Sequence, residues 1–207
     1  MRNLMLKLID KLAGFGLDKL ERALLFGAGL CAVLALATGS VRLDLNWTAF
    51  LFRWLHVISG VMWIGLLWYF NFVQIPSMPK IPDEQKPAIG KVIAPTALFW
   101  FRYAALATVV TGVVLALLNS YLLDALLLGK FQGGRTTYIG LGMWLALFMA
   151  YNVWNIIWPN QQKALGLVPA TDDEKKAAAR TAMLTSRFNT MFSIPMLYFM
   201  VAAQNIA

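Results

Sequence analysis

The chain has 207 residues, 59 % of them hydrophobic and 14 % charged, with a formal net charge of +8. So few charges exclude a soluble enzyme, since an ordinary soluble domain is about 25 % charged, and the wealth of aliphatic and aromatic residues excludes a disordered chain. The basic residues fall between apolar runs, which marks membrane topology rather than a nucleic-acid partner, and the single cysteine, Cys31, excludes an internal disulfide or a cysteine metal cluster.

Residues 1–21 read as an amphipathic helix lying in the membrane interface. Leu4, Leu8, Leu12 and Leu17 share one side, while Lys7, Lys11, Asp18 and Lys19 take the others. A secretory signal is the rival reading. The run from Ala23 to Thr38 has no clear small-residue cleavage site and continues into membrane sequence, so it is expected to be retained. The remainder, 22–207, is expected to be an all-α transmembrane bundle of about five spans: 22–41, 47–74, 97–120, 136–158 and 187–205.

Between the second and third spans, Pro76, Pro79, Pro82 and Pro87 predict an irregular stretch followed by an interfacial turn. Gly133 and Gly134 mark a turn before the fourth span. Thr171, followed by Asp172, Asp173 and Glu174, predicts the N-cap of a short helix over 171–180. Of the lysines and arginines, thirteen fall on one side of the predicted spans and three (Arg42, Lys130, Arg135) on the other, with Arg53 and Arg102 inside spans. That bias puts the N-terminus in the cytoplasm and, after five spans, Gln204 to Ala207 outside.

His56 is the only histidine. It lies roughly 14 Å along the helix from Trp47, deep in the second span, where ionisable groups are costly and usually functional. Gly60 follows one turn later on the same face and Trp63 one turn beyond. A haem plane passing close to a helix needs such a small residue. The pattern therefore fits a haem-iron ligand, or alternatively a neutral imidazole bonded to a neighbouring helix. One histidine supplies only one axial ligand. Met196, counted from the outer end of its span, lies at the same depth as His56 and is the candidate second ligand, with simple packing as its alternative. Arg53, one turn outward, suits a haem propionate or an anionic substrate, or else snorkels to the headgroups. Arg102 sits at the other end with Phe99, Trp100 and Tyr103, which together read as an aromatic belt.

Asn71 and Gln74, Asn152 and Asn155, and Asn189 and Ser193 cannot be satisfied by lipid, so they are expected to face protein in a polar cluster toward the cytoplasmic ends. No phosphate loop, nucleophile triad or zinc spacing is present, and no acidic residue lies deep in the second to fifth spans.

WLHVISGVMWIGLLWYFNFVQIP (54–76), ALFWFRYAALATVVTGVVLAL (97–117), NVWNIIWPNQQKALG (152–166) and SRFNTMFSIPMLYFMVA (186–202) together resemble the urate oxidase N-terminal domain, the membrane domain of bacterial urate hydroxylases of the PuuD type. The His-x3-Gly-x2-Trp segment is also similar, over one helix, to the HemJ type of protoporphyrinogen oxidase. The first resemblance implies a bacterial inner-membrane protein that oxidises urate and passes electrons to the respiratory chain. The family joins this domain to a cytochrome c; this sequence carries no Cys-x2-Cys-His and so no covalent haem c. The expected function is a membrane redox protein with one b-type haem at His56, handing electrons to an external cytochrome c. The alternative is a non-catalytic accessory subunit of a larger respiratory or oxygenase membrane complex.

Overall fold

The computed structural model describes residues 1–206, the side chains of Leu12 and Phe15 excepted. The expected roles of the Leu12 side chain and of Ala207 fall outside the described residues. Among these residues the chain is helical throughout, with no strand. It divides into two compact units, Met1–Thr48 and Ala49–Ala207.

In the first unit, helix α1 spans Arg2–Leu12 and α2 spans Leu20–Ala37. Leu4 and Leu8 are exposed on α1, as an interfacial helix requires. A kink within Ala13–Leu17, where Gly16 takes a left-handed φ of 88°, separates the two helices. The first predicted span is α2. It stops where the Thr38 and Ser40 hydroxyls donate to the Leu34 and Ala35 carbonyls, at 2.8 and 3.0 Å. None of its residues is buried.

The second unit is built on α3 (Leu45–Trp68, whose first turn belongs to the first unit), α4 (Ala94–Leu118), α5 (Leu122–Leu126), α6 (Gly134–Asn152) and α7 (Asp172–Asn205), with shorter helical pieces between them, among them Trp158–Ala164. Three are prolonged through wider π-type turns: Tyr69–Gln74 after α3, Ile89–Ile93 before α4 and Val153–Ile157 after α6. By length and composition four helical stretches are able to cross a membrane: Leu20–Ala37, Leu45–Lys80, Lys86–Leu118 and Gly134–Ala164. The expected fifth span is the C-terminal part of α7. It is not among the four because its inward face carries Ser186, Asn189 and Ser193, all buried.

Two expectations about connections are corrected. The proline-rich stretch is mostly helical: Pro76, Pro79 and Pro87 each occupy the first turn of a short helical piece, where a missing N–H costs nothing. The 171–180 segment is the beginning of the continuous 34-residue helix α7, not a separate helix. Its predicted start is right. Thr171 Oγ1 accepts from the Glu174 N–H at 3.3 Å while the Glu174 carboxylate accepts from the Thr171 N–H at 2.7 Å. Gly133 and Gly134, at φ 65° and 46°, make the predicted turn before α6.

Trp63, Ile64 and Leu67 of α3, Leu98, Phe101 and Ala105 of α4, Ala146 and Met149 of α6 and Met196 of α7 meet in one apolar core. Connections 81–85 and 165–171 lie at one end of this bundle, and 119–133 lies at the other.

Candidate functional site around His56

His56 faces α4. Its Nδ1 lies 2.8 Å from the Thr108 carbonyl oxygen. A carbonyl only accepts, so Nδ1 carries the proton and, in the neutral ring, Nε2 holds the lone pair. The Thr111 hydroxyl is 3.4 Å from the same Nδ1. The ring rests against Gly112, where a Cβ would stand 2.8 Å from His56 Cε1 and 3.0 Å from Nδ1. Only glycine admits the imidazole there. Sequence reading missed Thr108 and Gly112; the only trace of them is the small and polar run Thr108, Thr111, Gly112 inside an apolar helix.

At Gly60, one turn beyond His56, a Cβ would meet only Thr108 Cγ2, at 4.0 Å. Trp63 is fully buried, and its indole N–H has no partner. At the other end of this stripe, the buried Nε of Arg53 also has no partner. Arg53, His56, Gly60 and Trp63 thus share one face of α3 over about 15 Å. Two unsatisfied donors bracket a free imidazole nitrogen and a glycine.

Met196 is not brought to His56. Trp68 Nε1 donates to Ser193 Oγ at 3.0 Å and Asn71 Nδ2 to Ser186 Oγ at 2.8 Å. On antiparallel helices these bonds set Met196 level with Trp63 and Ile64, whose apolar cluster it shares. His56 is seven residues farther along α3, roughly 10 Å away. Counting each residue from the end of its own span missed this, because the spans do not end level.

The expected polar cluster forms along α7. Asn152 Nδ2 donates to Asn189 Oδ1 at 2.8 Å, and Asn189 Nδ2 donates to the Met149 carbonyl at 3.0 Å. With the Asn71 and Trp68 bonds, it ties α3 and α6 to α7. Asn155 is the exception: it is exposed and bonds only the Tyr151 carbonyl, 3.1 Å away. The wide turn Val153–Ile157 takes more residues to complete a turn than the α-helix does, so Asn152 and Asn155, three apart, no longer share a face. Gln74 lies at the same end, and its Oε1 is buried without a partner.

Arg102 also departs from the simple belt. Its guanidinium stacks over Trp158 at 3.2 Å from the ring centroid, with Trp154 at 5.6 Å and Tyr103 at 5.9 Å. Phe99, Trp100 and Tyr103 are exposed, as belt residues are. Among the described residues no group of three or more histidine, cysteine, aspartate or glutamate side chains is arranged to hold a metal ion.

No curated protein and no solved structure matches the chain. A family model does, over residues 119–205, a segment that holds α5, α6, α7 and the Asn152–Asn189 pair but not His56. The model is that of the urate oxidase N-terminal domain, the family the sequence resembles.

Proposed function

We propose that this chain is a membrane redox protein similar to the urate hydroxylase membrane domain, with one b-type haem on His56 and electrons passing to an external cytochrome c. The observation that carries the reading is the His56–Thr108 bond at 2.8 Å. Histidines that bind metal characteristically give their other ring N–H to a carbonyl or carboxylate, which fixes the tautomer and raises the ligand's basicity. The residues present fit the group. Thr108 orients the imidazole, Gly112 admits it, and Gly60 keeps the face beside it free of a side chain. Arg53 supplies positive charge for a carboxylate arm one turn away. Met196 packs with Trp63 and Ile64 in the apolar core, so His56 is the side chain of this pair that would hold the group. A haem here supplies one-electron chemistry. The chain's part is to hold it, orient it and keep it in an apolar setting.

On this reading the chain sits in a bacterial inner membrane, and the charge bias supports an N-terminus in the cytoplasm and a C-terminus in the periplasm. The test is the reduced-minus-oxidised visible spectrum of the purified full chain. A Soret band that His56→Ala abolishes, with the helical bundle still inserted, supports the reading. A folded, colourless wild type ends it and favours an accessory subunit of a larger membrane redox complex.

A further inference from the structure

Arg102 is held flat near one end of the bundle. It lies two turns inside α4, and its guanidinium covers the face of Trp158, 3.2 Å from the ring centroid. Trp154 and Tyr103 stand beside it at 5.6 and 5.9 Å, and those two rings meet edge to face at 5.7 Å. The Arg102 Nε donates to the Leu98 carbonyl at 3.1 Å, which ties the side chain back to its own helix. Stacking occupies the flat face of a guanidinium, and the Nε bond uses one of its five N–H groups. The in-plane edge that carries the terminal nitrogens is left over.

Among the described residues no carboxylate answers this edge. The ion pairs there are Lys86–Asp83, Lys175–Asp172 and Lys176–Asp173. The indole N–H of Trp154, in the same cluster, is also without a partner. Arg102 is half-buried rather than enclosed, so a group from outside the bundle can reach it.

The depth of the residue says which outside group that is. The helical stretch Lys86–Leu118 has 33 residues, about 50 Å at the usual rise, against a hydrocarbon core of about 30 Å. Counted back from Leu118, Arg102 lies roughly 24 Å along the helix, close to the far edge of that core. Exposed Phe99 packs on exposed Tyr103 at 4.7 Å beside it, as aromatic residues do at the headgroup boundary.

We propose that Arg102, seated on Trp158, binds the phosphate of a membrane phospholipid. A guanidinium fork matches the paired oxygens of a phosphate, and such charge-assisted bonds are the strong ones. The exposed aromatic pair gives the rest of the lipid an apolar flank, which free phosphate would leave uncovered. The site does not depend on haem at His56.

The experiment is native mass spectrometry of the detergent-purified full chain, titrated with phosphatidylglycerol and, separately, with inorganic phosphate. Wild type is compared with Arg102→Gln, with Arg102→Lys, which keeps the charge but not the planar fork, and with Arg180→Gln, which removes the same charge from an exposed position of α7. Circular dichroism checks that each variant keeps the helical content of wild type. The expected result is a saturable one-to-one lipid adduct whose dissociation constant rises about tenfold in Arg102→Gln, the scale of one charge-assisted contact, rises less in Arg102→Lys and is unchanged in Arg180→Gln. Equal weakening in the two glutamine variants means diffuse attraction between charges and overturns the site. Undiminished affinity in Arg102→Lys overturns it as well, since an ammonium has neither fork nor stacking face. So does the absence of a saturable lipid adduct, or saturable binding of inorganic phosphate in its place.

Discussion

His56 gives its Nδ1 proton to the Thr108 carbonyl across 2.8 Å, joining two helices that share few other polar contacts. The Thr108 carbonyl also belongs to the backbone ladder of α4, so its second lone pair is what the imidazole uses. The bond does two things together. It satisfies one nitrogen of a histidine placed in an apolar bundle, and it decides that the other nitrogen is the one open to a ligand.

Gly112 is the position on which this geometry turns. In Gly112→Ala the new carbon would stand 2.8 Å from His56 Cε1, and the ring has to move off Thr108. We expect a loss of about 1–3 kcal/mol in stability, the usual cost of overpacking a tight site. Gly60→Ala, whose new carbon meets Thr108 Cγ2 at 4.0 Å, should be tolerated. Unfolding titrations in mixed micelles, together with the imidazole 15N shifts, check both. An unchanged stability and an unchanged Nδ1–H signal in Gly112→Ala would show that the ring does not rest there.

Asn189 and Asn155 should separate cleanly. Asn189→Leu removes the bond to Asn152 and the one to the Met149 carbonyl, and leaves both partners buried. The expected loss is about 1 kcal/mol or more, the scale of hydrogen bonds between membrane helices. Asn155→Leu removes a bond to its own helix on an exposed face and should change stability by less than about 0.5 kcal/mol. The same unfolding titrations read both variants. Equal losses would place Asn155 in the bundle after all.

The contrast between these two asparagines shows what a sequence can carry. Amphipathic helix α1, the apolar spans and the Thr171–Glu174 capping box are local properties of residue type and spacing, and each was legible. Asn155 was misread because the spacing argument assumes an unbroken α-helical period, and the π-type turn Val153–Ile157 breaks it just before Pro159, which has no N–H to give to the carbonyl four residues back. Met196 was misread because depth was counted within single helices, whereas register is set between helices by Trp68–Ser193 and Asn71–Ser186. The partner of His56 was hidden for a different reason. It is a backbone carbonyl, which every residue of α4 possesses, and only the tertiary fit of Gly112 selects Thr108.

The lysine and arginine bias makes a topological prediction. On the five predicted spans thirteen of these residues fall on the side of the N-terminus and three on the other, so a periplasm-active reporter fused after residue 207 should be active and a cytoplasm-active one silent. The reverse pattern would turn the bundle over.

Asp124 should make the 128–133 loop sensitive to acid. The Thr136 hydroxyl and the Phe131 and Gln132 amides hold its carboxyl below the usual carboxylate range, against a smaller opposing effect of burial. A carboxyl whose folded value is depressed stabilises the fold above its unfolded value of about 3.9, and that contribution is lost as pH falls through the folded value. The amides of Phe131 and Gln132 should therefore stay protected from hydrogen exchange at neutral and mildly acidic pH, and open only in stronger acid. In Asp124→Asn the side chain keeps one acceptor oxygen but loses the charge that strengthens both bonds, so both amides should exchange faster at neutral pH and lose the acid transition. Hydrogen-exchange mass spectrometry, corrected for the intrinsic pH dependence of exchange, follows the loop peptide in both proteins. Protection that already disappears in mild acid, or that persists unchanged in Asp124→Asn, would mean that the turn at Gly129 and Gly133 holds the loop without the carboxylate.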